Sequence, residues 1–237
     1  MLQKNIPIFS LSSRTARPRA AKNFLELNLS ELDALAERFG GEAVPGVQLS
    51  EPEFADWCPE GLRAEWVDGK VILMSPSNVE HDELSIWLIR LLGDYVDEHN
   101  LGSIYQNIFV RFAGQHRRRV PDLLFVAADR RDLLKPTYLD GPPDLLIEIV
   151  SPDSQSRDRR EKYLEYEKAG VREYWIVDPL SKTVEVFRLE KKKFQRIEET
   201  AGVIASIVLK GFRIKTAQLW QKPLPKVSGV LKWMTKR

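Results

Sequence analysis

Cysteine and histidine are scarce in this sequence of 237 residues, which holds one Cys, at position 58, and three His. A single cysteine cannot form an internal disulfide bond. His81, His99 and His116 show no Cys/His spacing typical of a zinc site. Structural zinc and a disulfide framework are therefore excluded.

Long hydrophobic runs are also missing. The longest, such as LLIEIV, are interrupted by charge and fall far short of the ~20 residues that a membrane-spanning helix needs. We therefore expect no transmembrane segment and a cytoplasmic location. The formal net charge is only +2, so any contact with nucleic acid must come from local basic patches.

The first 23 residues lack acidic side chains but contain five basic ones. They also lack the apolar core of a signal peptide. We interpret them as a mobile basic arm and predict three regions: an N-terminal extension over 1–49 with one short helix, a main domain over 50–220, and a tail over 221–237.

The main domain shows alternating signals for strands and helices. Two apolar-rich runs flank Asp68-Gly69 and predict a hairpin. HDELSIWLIRLLGDYVDEHN has apolar residues at helical spacing, with His81 on the same face as Leu84. GSIYQNIFVRFA, RRVPDLLFVAA and PDLLIEIV read as neighbouring strands of one sheet.

A helix from Asp158 that stops at Gly170, followed by the strand REYWIVD, predicts a crossover unit. Three shorter runs, TVEVFRL, KFQRIEE and IASIVLK, continue as a meander. The fold class is therefore α/β (mixed α+β), with a central mixed sheet, flanking helices and extra antiparallel strands.

Two carboxylates stand beside apolar strand residues. Glu148 lies within LLIEIV, and Asp122 begins DLLFVAA directly after Pro121. A buried ionised carboxylate costs several kcal/mol unless it is paired or bound to a metal. Mg²⁺ prefers such oxygen ligands, so the pair predicts a magnesium site. The alternatives are a turn residue for Asp122 and an exposed strand face for Glu148.

Lys162 is the candidate cation of this site, because it lies one turn into the helix that follows Glu148. A phosphodiester hydrolase needs a positive charge near the attacking water or the developing charge. The alternative is a surface ion pair with Asp158, four residues earlier.

Three segments carry a family resemblance: AEWVDGKVILMSPSNVEH, VPDLLFV and the block from Pro143 to Pro179. They resemble the bacterial Uma-two family of restriction endonucleases, within the PD-(D/E)XK nuclease superfamily. The resemblance covers roughly residues 50–220 and implies a restriction-endonuclease-like core that uses Mg²⁺ or Mn²⁺.

By this resemblance, Asp122 takes the place of the metal-binding aspartate and Glu148 that of the acid in the (D/E)XK triplet. The triplet here reads Glu-Ile-Val, so Val150 stands where the lysine is expected. The resemblance implies that Lys162 supplies the lysine from the helix.

Glu65 and His81 also match family positions, as an additional acid near the metal and as a residue at the mouth of the site. The alternatives are a cross-strand pair on the hairpin for Glu65, and a helix-cap or core histidine for His81.

Arginines cluster on both sides of these residues in the sequence. We predict phosphate contacts with DNA for six of them: Arg117, Arg118, Arg119, Arg157, Arg159 and Arg160. The alternative is solvated loop charge or pairing with Asp153, Asp158 and Glu161.

The functional hypothesis is a Mg²⁺-dependent endonuclease that hydrolyses DNA and acts as a homodimer. The first alternative is an inactive module that keeps the nuclease fold and binds nucleic acid or a partner. The second is a metal-dependent hydrolase of another phosphate ester.

Overall fold

The computed structural model describes residues 23–39, 41–151 and 157–235, with the side chains of Arg157 and Asp158 outside the description. The chain divides into two compact units. Unit 1 consists of the residues up to Pro76 together with His116–Arg119, and unit 2 of Ser77–Gln115 and Val120–Arg237. The predicted boundaries at residues 50 and 220 remain predictions.

Polar side chains cap the start of two α-helices. Ser50 caps α2 in a reciprocal capping box with Glu53, and Asn78 caps α3. The helices are α1 (Leu29–Phe39), α2 (Glu51–Trp57), α3 (Val79–Glu98), α4 (Tyr163–Ala169) and α5 (Val227–Thr235).

The described parts of the chain also contain short β-strands. They are β1 (Ala64–Val67), β2 (Lys70–Leu73), β3 (Gly102–Tyr105), β4 (Phe109–Phe112), β5 (Arg117–Arg119), β6 (Leu123–Ala127), β7 (Tyr138–Asp140), β8 (Leu145–Ile149), β9 (Glu173–Asp178), β10 (Thr183–Glu190), β11 (Lys193–Ile197), β12 (Val203–Ala205) and β13 (Arg213–Lys215). Single 3₁₀ segments cover Ala113–Gln115, Ala128–Leu133 and Thr216–Trp220, and a π-helical turn covers Arg157–Lys162.

Unit 1 is built on an antiparallel arrangement in which β1 pairs with both β2 and β5. The β1–β2 hairpin turns at Asp68 and Gly69, which both have positive φ, as the sequence predicts. Trp66 is buried in the apolar interior of this unit, and its Nε1 donates to the Leu49 carbonyl at 2.8 Å. The helix α1 packs through Leu32 and Leu35, which are buried.

Unit 2 contains a six-stranded mixed sheet in the order β11-β10-β9-β8-β6-β3. Strands β8 and β9 are parallel, and the other neighbours are antiparallel. The predicted mixed α+β class is confirmed. The crossover from β8 to β9 runs through the π-helical turn and α4, as the strand–helix–strand pattern predicts.

The sheet of unit 2 is buried on both faces. Leu145, Ile147 and Ile149 of β8 join a cluster with α3, β13 and α5. Leu146 and Val150 join a second cluster, which contains Tyr166 of α4. Strand β8 thus alternates between two apolar layers.

Two predicted strand runs are wrong as single strands. GSIYQNIFVRFA divides into β3 and β4 because Asn107 turns the chain with φ 53°. RRVPDLLFVAA divides into β5 and β6 at Pro121, which has no N–H for a ladder. β3 pairs with β6, whereas β4 pairs in parallel with β7 and β5 pairs with β1.

The predicted strand IASIVLK is also shorter than expected. Strand β12 ends at Ala205 because Ser206 turns away to bond with Glu173. The tail carries α5, whose Val227, Val230 and Met234 are buried in the first apolar cluster of unit 2. Across residues 23–39, 41–151 and 157–235, none of the helices has the length and hydropathy that crossing a membrane requires.

Candidate active site

Asp122 and Glu148 lie opposite each other across two adjacent strands. In the antiparallel pair β6–β8, Leu123 stands opposite Ile147, and one further step in this register places Asp122 opposite Glu148. Directly opposed residues project from the same face of a sheet. The exposed fractions of Asp122 and Glu148 are 7% and 3%, so the exposed-face alternative for Glu148 is wrong.

Asp122 is held by two contacts on one oxygen. Its Oδ2 accepts a hydrogen bond from the backbone N–H of Ile149 at 2.8 Å and lies 3.2 Å from His81 Nε2. The first contact ties Asp122 to the residue next to Glu148. The carboxylate is therefore fixed beside strand β8.

His81 reaches Asp122 from the first turn of α3. The Asn78 side chain accepts from the His81 N–H at 2.9 Å and fixes the start of this helix. His81 is 7% exposed, and its Nδ1 lies 3.7 Å from Asp82 Oδ1. His81 thus lies with Leu84 on the buried face of α3, as the helical spacing predicts.

Glu148 is contacted by two side chains from the crossover. Lys162 Nζ lies 3.0 Å from Glu148 Oε1, and the hydroxyl of Tyr166 donates to the same oxygen at 2.7 Å. Lys162 is 2% exposed. The surface-pair alternative for Lys162 is therefore wrong.

The helical segment after β8 positions both of these donors. Lys162 ends a π-helical turn, and Tyr166 follows four residues later in α4, a spacing that aligns side chains on one helix face. Gly170, with φ 90°, closes α4 in the left-handed conformation. Single π-helical turns occur frequently at functional sites.

Glu167 anchors α4 to the sheet next to the site. Its carboxylate accepts from Lys193 Nζ at 2.8 Å and from the Phe194 N–H at 2.7 Å. Burial acts to raise the pKa of Glu167, but these two hydrogen bonds outweigh it and hold the pKa below its ordinary value. These two hydrogen bonds attach α4, which carries Tyr166, to β11.

Glu65 and Arg119 form an ion pair inside unit 1. Both side chains are fully buried, and Arg119 Nη1 donates to Glu65 Oε2 at 2.7 Å. Glu65 therefore pairs across the neighbouring strands β1 and β5, whereas the alternative placed its cross-strand partner on the hairpin of β1 and β2. The Arg119 guanidinium is fully buried and is not accessible for the predicted contact with a DNA phosphate.

The other predicted DNA-binding arginines differ in exposure. In unit 1, Arg117 pairs with Asp68, and Arg118 Nε donates to Glu51 at 2.9 Å. In unit 2, Arg159 donates to Asp178 at 2.8 Å and Glu185 at 2.7 Å, and Arg160 is exposed. The side chain of Arg157 lies outside the described residues.

Tyr166 is the site residue that sequence reasoning missed. A tyrosine in the middle of YLEYEKA reads as an ordinary helix residue, and its apolar ring explains its burial. The available signal was its position four residues after Lys162, which places it on the same helix face.

The carboxylates of Asp122 and Glu148 form a small set of metal ligands, which is consistent with a hard divalent cation. In the described ranges, no group of three or more His, Cys, Asp and Glu side chains is close enough to hold a metal ion. Mg²⁺ often uses only one or two protein carboxylates and completes its shell with water and substrate phosphate. The two opposed buried carboxylates meet that lower requirement.

A solved structure is similar in fold to this chain. A crystal structure of "a putative nuclease belonging to DUF820" from Anabaena variabilis matches with a TM-score of 0.61 and 19% identity, and the match covers 73% of this chain and 97% of the other. This chain therefore shares its fold with that protein.

A family model identifies the protein family. The Uma2 model, described as "Putative restriction endonuclease", matches residues 51–217, so the chain belongs to this family. An uncharacterized protein from Synechocystis sp. is 23% identical over 147 residues, which are 61% of this chain and 76% of that protein.

Proposed function

We propose that the protein is a Mg²⁺- or Mn²⁺-dependent endonuclease that hydrolyses phosphodiester bonds of DNA. The observation that carries the proposal is the placement of two buried carboxylates, Asp122 and Glu148, on facing strand positions with Lys162 at 3.0 Å from Glu148. Family membership supports nuclease chemistry.

Asp122 and Glu148 would hold the cation through carboxylate oxygens, which hard divalent ions prefer. A bound Mg²⁺ supplies an activated water at neutral pH and neutralises charge on the phosphate. Within the chain, His81 orients Asp122 through the contact of its Nε2 with Oδ2. The Ile149 N–H fixes the same carboxylate from the strand.

Lys162 would stabilise the negative charge that develops on the scissile phosphate. Val150, at the expected lysine position, is 1% exposed and packs in the apolar layer with Leu146 and Tyr166. The cation must therefore come from elsewhere, and Lys162 on the crossover lies within reach of Glu148. A preorganised charge in a buried site is worth far more than in water.

DNA would be contacted through its phosphates by Arg159 and Arg160, next to Lys162 in unit 2. Arg117 and Arg118 are separate candidates for phosphate contacts on unit 1. Arg160 is the simplest candidate for a phosphate contact, because its side chain is exposed. Cutting both strands of a duplex is most direct with two copies of the chain, so we propose a homodimer. The cytoplasm is the expected location of this activity.

The test is cleavage of plasmid DNA by purified protein with Mg²⁺ or Mn²⁺. We expect Asp122→Asn and Glu148→Gln each to lower the rate at least about 100-fold. Asp129→Asn is the matched control, because Asp129 is an exposed acid at the other end of β6 from Asp122. Cleavage that survives both site substitutions refutes this site. Duplex DNA, single strands, RNA and small phosphodiesters in parallel establish the substrate class.

A second candidate function is an inactive module that binds nucleic acid. It is favoured by Val150 at the lysine position and by the small donor set of the described residues. Calorimetric titration distinguishes the two functions. Intact DNA binding without Mg²⁺ or Mn²⁺ binding supports the module, and metal binding that requires Asp122 and Glu148 supports the enzyme.

A further inference from the structure

The hydroxyl of Tyr166 is directed at a site carboxylate rather than at the backbone. It donates to Glu148 Oε1 at 2.7 Å, and the whole side chain is fully buried. Lys162 Nζ lies 3.0 Å from the same oxygen. Two donors from one helix face thus converge on one atom of Glu148.

The packing of the ring does not require this hydroxyl. The ring centroid of Tyr166 lies 5.7 Å from Phe112 and 5.1 Å from Tyr174, in an apolar layer where a phenylalanine ring would fit equally well. Tyr163, three residues earlier, has a ring in similar aromatic contacts, but its hydroxyl is 3.4 Å from the Phe194 carbonyl. The two tyrosines lie on the same helix, but the Tyr166 hydroxyl contacts a carboxylate and the Tyr163 hydroxyl contacts a backbone carbonyl.

We infer that Tyr166 is a positioning residue, whose hydroxyl orients the Glu148 carboxylate for a divalent cation. The inference rests on the proposed function. A short O–H···O⁻ bond is stronger than a bond between neutral groups, and a carboxylate held by two donors has less rotational freedom to lose when it binds a metal. Such outer partners of metal ligands orient the ligand and tune its affinity.

The test compares Tyr166→Phe with the matched control Tyr163→Phe by calorimetric titration with Mn²⁺. Loss of an outer hydrogen bond to a metal ligand weakens metal affinity by about 10- to 100-fold. We expect this rise in the Kd of Tyr166→Phe, with Tyr163→Phe within about twofold of the wild type. Circular dichroism verifies that both variants fold.

The possible outcomes distinguish the role of Tyr166 from the proposed metal site. Wild-type protein that binds Mn²⁺, together with an unchanged Kd in folded Tyr166→Phe, overturns the role of Tyr166 and leaves the proposed enzyme intact. Wild-type protein that binds no Mn²⁺ overturns the proposed metal site and this inference together. An equal loss in both tyrosine variants assigns the effect to helix packing and overturns the inference.

A second measurement uses the wild-type chain and does not depend on the folding of a variant. The ¹³Cζ resonance of Tyr166 reports on its hydroxyl bond, so it should shift during titration with diamagnetic Mg²⁺ as Glu148 shares charge with the cation. The ¹³Cζ resonance of Tyr163 should stay in place. Mg²⁺ binding that leaves the Tyr166 signal unchanged contradicts the inference.

Discussion

Arg119 and Glu65 form a fully buried ion pair, with 2.7 Å between Nη1 and Oε2 and both side chains at 0% exposure. Removing one partner of such a pair leaves an uncompensated buried charge. We therefore predict that Glu65→Ala lowers the free energy of unfolding by about 3–5 kcal/mol. Urea unfolding followed by tryptophan fluorescence measures the change.

The control for this pair is Asp68→Asn, in the same unit, because asparagine tolerates the positive φ of this turn. Asp68 pairs with Arg117, but its side chain is 60% exposed, so its loss should cost no more than about 1 kcal/mol. The double variant Glu65→Leu/Arg119→Met should recover part of the stability. A cost below about 1 kcal/mol for Glu65→Ala would show that the pair does not stabilise unit 1.

Lys162→Met should remove the buried cation with little change in side-chain volume. If the rate of the chemical step depends on this charge, single-turnover cleavage should slow by about 100- to 1,000-fold. Lys168→Met, at an exposed position of the same helix, should stay close to the wild-type rate. A rate for Lys162→Met within about tenfold of wild type would exclude the proposed role.

Glu167 predicts a dependence of stability on acid pH. Its pKa lies below the ordinary value of 4.5 because the hydrogen bonds from Lys193 and Phe194 outweigh the effect of burial. Its stabilisation is therefore fully present above 4.5 and is lost as the pH falls through the lowered folded-state pKa. Glu167→Gln should destabilise the protein at about pH 7 and much less at about pH 3.

Glu173 predicts the opposite sign. Burial raises its pKa above the ordinary value of 4.5, although four hydrogen bonds act against the shift, from Trp175, Ser206 and the N–H groups of Ile207 and Val208. Its contribution is full below 4.5 and is lost as the pH rises through the raised value. The penalty of Glu173→Gln should therefore shrink from about pH 4 to about pH 7. Urea unfolding of Glu167→Gln and Glu173→Gln at these pH values measures both changes in the free energy of unfolding and shows whether they depend on pH in opposite directions.

Arg160 should contribute one phosphate contact. Arg160→Gln should weaken DNA binding independently of sequence and reduce the slope of log Kd against log salt by about one. Arg131→Gln is the control, because Arg131 is also exposed but follows the far end of β6. An unchanged slope for Arg160→Gln would exclude this contact.

Local sequence patterns predicted many of the helices, turns and strands that surround the site. Leu84 and Leu88 of α3 are buried as their helical spacing indicates, and the chain turns at Asp68-Gly69 and at Gly170. Each of these features depends on residues within one or two turns of the chain. The apolar neighbours of Glu148 likewise indicated its burial, because alternation along a strand is a local property.

Features that depend on distant partners were not predicted. The sheet partners of the divided strand runs were among these features, since β5 pairs with β1 and β4 with β7. The contact of Tyr166 with Glu148 depends on the π-helical turn between them, which no residue pattern indicated. Register and helix phase are set by the assembled sheet and not by neighbouring residues.

Strand β5 joins the two units by chain connectivity. His116–Arg119 belong to unit 1, although the chain has already entered unit 2 at Ser77. A protein expressed from residue 77 onward would keep β5 without its partner β1, and would leave Arg119 with no Glu65. Deletion of the N-terminal region therefore removes both the strand that pairs with β5 and the carboxylate that pairs with the buried Arg119 guanidinium.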